Sequence, residues 1–292
     1  MLRPAILLFA LWAILFAPSC SKNTTTPPPP ETKVDTTSHN FVWRVDTLGP
    51  LTTSLNDVAF ISDTEAWAVG RIQFVDSTQT NQSHGIAKWN GLDWTFETVE
   101  RAPNRSLQDI SGIYSIDSNN IWLTVGSVYN WLGGPYVVTS WIRSPSSDAL
   151  ANKVWADEAG NVFVVGAGGL LLSYMNNAWT QYPSIGSIRL TDIFGKPDGS
   201  VIWSCGFSSN QAESKLLKFS GQMWDTVWET VQPAASPYTG LLQSIWYANN
   251  DSIIVAGSAG IYWQDLRGDS PPRQIPINLG NFPYKVRGNA AN

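Results

Sequence analysis

The stretch Trp89-Asn90-Gly91-Leu92-Asp93-Trp94 decides how the chain is read. An aromatic residue closes one apolar run, a short polar turn follows, and Trp opens the next run five positions on. The same phrase returns at Tyr174-Met175-Asn176-Asn177-Ala178-Trp179 and at Phe219-Ser220-Gly221-Gln222-Met223-Trp224. Upstream of each copy an apolar run ends in glycine: Ala68-Val69-Gly70, Val164-Val165-Gly166 and Ser204-Cys205-Gly206. A phrase that recurs with its upstream partner is one supersecondary unit copied along the chain. Asn-Gly, Asn-Asn and Ser-Gly between two short apolar runs are the residues a tight hairpin turn needs.

The closing glycines serve as a ruler. Gly70, Gly126, Gly166, Gly206 and Gly257 are spaced by 56, 40, 40 and 51 residues, a unit near 40 with insertions. Each unit opens with a short apolar run (Asp57 to Phe60, Asp109 to Tyr114, Lys153 to Trp155, Asp192 to Phe194, Ser244 to Trp246). A polar turn such as Lys196-Pro197-Asp198-Gly199 follows, then the glycine-ended run, a third run and the Trp-led fourth. Four short antiparallel strands per unit of this length predict an all-β chain of β-propeller blades. Five blades are expected over residues 57–263. Val286-Arg287-Gly288-Asn289 looks like another first strand and turn, compared with Ile193-Phe194-Gly195-Lys196. The expectation is a sixth blade cut short by the end of the sequence; a complete five-bladed ring with a loose tail is the alternative. Phe41 to Asp46 looks like a Trp-led fourth strand, with Val42 to Asp46 as an outer strand orphaned from its own blade.

On these residues, 41–292 resemble the bacterial BNR or Asp-box-like propellers, including those similar to the photosystem II stability and assembly factor family. The pattern is degenerate: only the turn glycine or asparagine and the Trp return. The resemblance implies a propeller and leaves the function open.

The first 40 residues read separately. Arg3 precedes an unbroken apolar run from Ala5 to Phe16, the length of a secretory signal and too short for a membrane span. Ala17-Pro18-Ser19-Cys20 then looks like a bacterial lipobox, so 1–19 is expected to be removed and Cys20 lipidated. An ordinary signal peptide with a chance Cys is the alternative. Ser21 to Asn40, with Thr24-Thr25-Thr26 and Pro27-Pro28-Pro29-Pro30, reads as a semi-rigid tether. The expected location is the bacterial cell envelope, with the membrane reached only through that lipid. Cys205 lies in an apolar run and is expected to be a buried, inert thiol.

Composition narrows the function. Hydrophobic residues are 43% and charged residues 14% of the chain, as in a folded protein. A net charge of −5 argues against a nucleic-acid partner. Fifteen Trp, at roughly 150–250 Å² each, point to rings used in packing. Trp94, Trp179 and Trp224 are expected at equivalent buried positions. Two His, His39 and His84, give no metal cluster, no nucleophile has an evident base, and no cofactor is implied. Asp57, Asp109 and Asp192 recur at first strands and read as blade structure. The long insertions Arg71–His84, Ser127–Tyr136 and Phe207–Ser214 are expected to join second to third strands and to gather on one face. With them go the connections Glu100–Ser106 and Glu229–Gly240, carrying Arg101, Arg105 and Tyr238. Exposed loops on a rigid scaffold are where binding concentrates. The candidate binding residues are therefore Arg71, Phe74, Tyr129, Trp131, Tyr136, Phe207 and Tyr238. The expected function is a non-enzymatic scaffold docking a protein or glycan. The alternative is a sialidase-like or other carbohydrate-active hydrolase, which would need a paired acid and base at the channel.

Overall fold

The computed structural model describes residues 45–50, 52–75, 78, 80–143, 148–231, 238, 240–249, 251–268, 270–277 and 283–288. The expected signal sequence and tether, Cys20 and Phe41 to Arg44 lie outside the described residues, so the expected orphan strand is seen only at Val45 and Asp46, which belong to no strand.

Among the described residues, twenty strands form five four-stranded antiparallel sheets, each a meander in chain order. Blade 1 is β1 (Ser54–Ser62), β2 (Glu65–Val75), β3 (Asn81–Trp89) and β4 (Trp94–Glu97). Blade 2 is β5 (Gly112–Asp117), β6 (Asn120–Val125), β7 (Ser127–Trp131) and β8 (Val138–Trp141). Blade 3 is β9 (Leu150–Ala156), β10 (Val162–Ala167), β11 (Leu171–Met175) and β12 (Ala178–Gln181). Blade 4 is β13 (Ile188–Gly195), β14 (Ile202–Ser208), β15 (Glu213–Phe219) and β16 (Trp224–Val231). Blade 5 is β17 (Leu242–Asn249), β18 (Ser252–Gly257), β19 (Gly260–Asp265) and β20 (Arg273–Ile275). The first strands β1, β5, β9, β13 and β17 touch in succession and form the inner wall. This is the expected five-bladed propeller array.

The repeated glycine has a steric cause. In blades 1, 3 and 4 the pairing of first and second strand slips by one residue opposite Gly70, Gly166 and Gly206. The bulge drives a carbonyl of the first strand against the glycine. A Cβ on Gly70, Gly166 or Gly206 would run into the carbonyl oxygen of Ser54, Leu150 or Arg189. The aromatic phrase is equally direct. Trp89 pairs with Trp94, Tyr174 with Trp179 and Phe219 with Trp224 across the outer hairpin. Their equivalence holds, but all three Trp are half-buried rather than buried, because the outer hairpin lies at the rim.

Four of the apolar clusters lie between consecutive blades. Trp67, Val69 and Ile86 of blade 1 meet Ile113, Leu123 and Tyr129 of blade 2. Trp122 and Val128 meet Val154 and Val164. Phe163 and Val165 meet Ile193 and Leu217. Trp203 and Cys205 meet Ile245 and Val255. The residue equivalent to Ile113 is buried in blades 2 to 5 (Ile113 3%, Val154 5%, Ile193 2%, Ile245 0%). Its counterpart in blade 1, Val58, is 55% exposed, since among the described residues no blade packs on that side.

Tyr284 to Gly288 forms no strand, yet it is seated. The Val286 amide donates to Ser244 Oγ at 3.0 Å, as the Ile245 amide donates to Asp192 Oδ2 at 3.0 Å one blade earlier. Gly288 lies against the Trp246 ring. The segment therefore occupies the inner-strand place next to blade 5.

Candidate functional site

The inner strands place one polar residue per blade at the same height, and each bonds the next blade. Asn56 Nδ2 donates to Ile110 O at 2.9 Å, Ser111 Oγ to Ala151 O at 3.3 Å, Asn152 Nδ2 to Leu190 O at 3.4 Å and Thr191 Oγ1 to Leu242 O at 3.3 Å. One residue further on, Asp57, Asp192 and Ser244 accept the amides of Ile113, Ile245 and Val286. These two rows stitch the ring around a central channel. The signal was present in the sequence, but Asn, Ser, Asn and Thr share a function without sharing an identity.

The second row is charged. Asp192, 1% exposed, accepts Lys285 Nζ at 2.9 Å and Arg287 Nη2 at 2.8 Å on Oδ1. Its Oδ2 accepts Ser244 Oγ at 2.5 Å, the Ile245 amide and Arg287 Nη1 at 2.9 Å. Burial alone would raise the Asp192 pKa; Arg287 and Lys285 outweigh it and hold the carboxyl well below the usual range. Asp57 meets Lys153 Nζ at 3.1 Å and Lys285 Nζ at 3.4 Å. Burial pushes the Lys153 ammonium down, against the pull of Asp57. So Asp57 and Asp192 are blade structure, as expected. Asp109 is not their equivalent. It sits before β5 at φ +56, exposed, and binds Arg71 at 2.6 Å, while Gly112 takes the inner-strand place.

The channel opens at two mouths. Where the inner strands begin, a cavity of about 550 Å³ is lined by Lys153, Arg189, Lys285, Asn152, Gln243 and Tyr284, among others. Where they end, a cavity of about 650 Å³ is walled by Tyr114, Trp155, Phe194 and Tyr247, with Asp157 and Glu158 at its edge. Tyr114 and Trp155 stand edge to face at 6.3 Å, and Arg287 lies 5.1 Å from the Phe194 centroid. Burial, then Asp157 and Glu158, raise the Tyr114 pKa. This aromatic mouth is on the side of the short first-to-second-strand turns, where no decoration was expected. Its rings belong to repeated inner-strand positions and so read as packing.

The expected binding face needs correction in detail. Most of Arg71 to His84 is strand, since β2 runs to Val75 and β3 begins at Asn81, and Phe74 is half-buried, stacked on His84 at 5.1 Å and Phe96 at 5.2 Å. Ser127 to Tyr136 does not join second to third strand. Gly126, at φ +66, makes that turn tight, and the long connection of blade 2 runs from Leu132 to Val137, between third and fourth strands. Tyr129 is therefore a core residue (5% exposed), and Trp131 packs on Trp67 at 5.2 Å. Tyr238 is 1% exposed, bonded to Gln264 and packed on Trp228 and Tyr262. Burial takes Tyr129 and Tyr238 off any docking face. Phe207 is half-buried at the end of β14, and the connection after it is only Ser209 to Ala212. Arg71 and Tyr136 are exposed. Arg189 was not anticipated; it is exposed at the channel mouth. Cys205 is a free, buried thiol, and burial pushes its pKa up. Among the described residues no group of three His, Cys, Asp or Glu could hold a metal.

No family model matches the chain, and no curated protein matches it. Solved structures do. The chain is similar to Ycf48 bound to a D1 peptide, with a TM-score of 0.55 and 13% identity, covering 78% of this chain and 68% of that one. It is similar to PorZ, an essential surface component of the type-IX secretion system of Porphyromonas gingivalis (TM-score 0.53, 13% identity, 83% of this chain). It is also similar to the extracellular domain of the BT4673 one-component system of B. thetaiotaomicron (TM-score 0.56, 10% identity, 83% of this chain). The chain spans 37% of each of these last two proteins. At such identities the likeness establishes the propeller fold.

Proposed function

We propose that this propeller is a non-enzymatic binding or assembly scaffold, exported and held to the cell envelope by a lipid on Cys20. It docks a protein on the face where the inner strands begin. The observation that carries the reading is the 550 Å³ channel mouth on that face, ringed by Lys153, Arg189 and Lys285. A concave site with a few convergent polar groups is the form binding sites take. The connections that lead from one blade to the next leave the sheets at the same end, and Arg71 and Phe207 lie there. Ycf48, similar in fold, is bound to a D1 peptide, which supports a protein partner over a glycan.

The docking face is tested by placing a photo-crosslinking benzoylphenylalanine at Ser209, on this face, and at Met223, in a turn at the other end of the sheets. Irradiated cells should give a protein adduct from position 209 and none from 223. Adducts from 223 alone would place the surface on the opposite side. Labelling with a palmitate analogue tests the anchor: label lost in Cys20→Ala supports it, and equal label removes it.

A further inference from the structure

We propose that the channel mouth where the inner strands begin is a carboxylate site, recognising an acidic group of a peptide seated between Arg189, Lys153 and Lys285. This rests on the docking reading above and names the chemistry of its partner.

Charge and unused donors both favour an anion at this mouth. The mouth brings three cations, Lys153, Arg189 and Lys285, to one lining acid, Asp57. Asp192 beneath is saturated by Lys285, Arg287, Ser244 and the Ile245 amide. With Arg287 and Asp192 included there are four cations to two carboxylates in a chain whose net charge is −5. A local surplus of positive charge in an acidic molecule focuses anions onto that spot.

The donors are free to act. Lys153, with only 12% of its side chain exposed, spends its ammonium on Asp57 and on Asn56 O at 3.0 Å, which leaves one of three hydrogens unspent. Lys285 spends two, on Asp192 and Asp57. Arg189 is exposed and, among the described residues, its guanidinium has no ion pair or hydrogen bond, so its planar fork is open for a bidentate carboxylate. A carboxylate there completes a half-compensated, desolvated lysine. Burial that pushes the Lys153 ammonium down is consistent with this.

The rest of the lining selects a peptide over a bare anion. Leu55, 49% exposed, offers apolar contact beside the cations. Gln243 and Tyr284, both able to hydrogen-bond, line the same cavity. Its 550 Å³ is in the range of ligand pockets and takes a few residues. A polyanion is disfavoured, because the net charge of −5 repels a long run of phosphates.

The test is fluorescence anisotropy with labelled peptides of alternating leucine and glutamate, amidated or free at the C-terminus, and a leucine–lysine peptide as control. Residues 41–292 serve as the protein, beside the full chain in detergent. Both acidic peptides should bind and the lysine peptide should not. Equal affinity of the two acidic peptides assigns the site to side-chain carboxylates. A tenfold gain for the free C-terminus assigns it to the chain end. Arg189→Gln should weaken the acidic peptides at least tenfold, whereas Arg273→Gln, which removes the same charge at the start of β20, at the opposite end of the sheets, should change them less than twofold. Because the Arg189 side chain makes no bond among the described residues, its variant should keep the fold, and an unchanged denaturation midpoint checks this. Equal loss in both variants, or binding of the lysine peptide, overturns the carboxylate site. If the acidic peptides fail while position 209 still crosslinks a protein, the carboxylate inference falls and the docking reading stands.

Discussion

Asp192→Asn is the sharpest perturbation of the ring. The substitution keeps volume and can keep the bonds from the Ile245 amide and Ser244, but it removes the charge facing Lys285 and Arg287. Breaking a buried pair by removing one partner costs about 3–5 kcal/mol. Here both cations are about a third exposed (33% and 36%) and recover some hydration, so the lower end, about 3 kcal/mol, is expected. The sign with pH follows from the depressed carboxyl. Its stabilising contribution is complete above the unfolded value, about 3.9, and is lost as pH falls from there towards the lower folded value. Urea unfolding of residues 41–292, followed by Trp fluorescence, measures both. The variant should be weaker by about 3 kcal/mol at pH 7, and the gap should narrow below about pH 4. A difference under about 1 kcal/mol at pH 7, or a gap independent of pH, would refute the claim that this carboxylate holds the ring.

Other expectations concern the repeat. Asn56→Ala removes a tie from blade 1 to blade 2 and should cost about 1 kcal/mol in the same unfolding assay, while a midpoint unchanged would show that the tie contributes nothing. Gly166→Ala must push the Leu150 carbonyl aside and should destabilise by about 1–3 kcal/mol, whereas Gly268→Ala, with open space around the Cβ and no left-handed backbone, should cost less. Cys205 should react with Ellman's reagent only after unfolding; reaction in the native state at pH 8 would contradict its burial. Fluorogenic sialosides should remain uncleaved by the purified protein, and turnover above a blank would revive the hydrolase alternative.

What was legible in the sequence was whatever the blade repeats by identity. In blades 1, 3 and 4 the glycine of the bulge and the aromatic pair across the outer hairpin recur as fixed residue types, so Gly166 and the Tyr174–Trp179 pair could be read directly. The ruler slipped at Gly126, which makes a left-handed turn instead of facing a bulge. That slip turned β7 into a loop and Tyr129 into a surface residue. Tyr238 was misread for another reason: its neighbours are turn-forming residues, while its ring is claimed by Trp228 and Tyr262, far off in sequence. Asp109 matched Asp57 and Asp192 by letter and not by backbone. The channel mouth stayed hidden because its parts come from five blades and the Tyr284–Lys285 segment, and nothing local marks Arg189 as different from any exposed arginine.

The central claim is that a protein docks where the inner strands begin. Hydrogen–deuterium exchange on the propeller, with and without the partner captured through position 209, tests it most directly. The account predicts slowed exchange over Ser209 to Ala212 and Asp109 to Ser111, with the turns Asn90 to Asp93 and Ser220 to Met223 unchanged. Slowing confined to those turns, or none at either end of the blades, would contradict it.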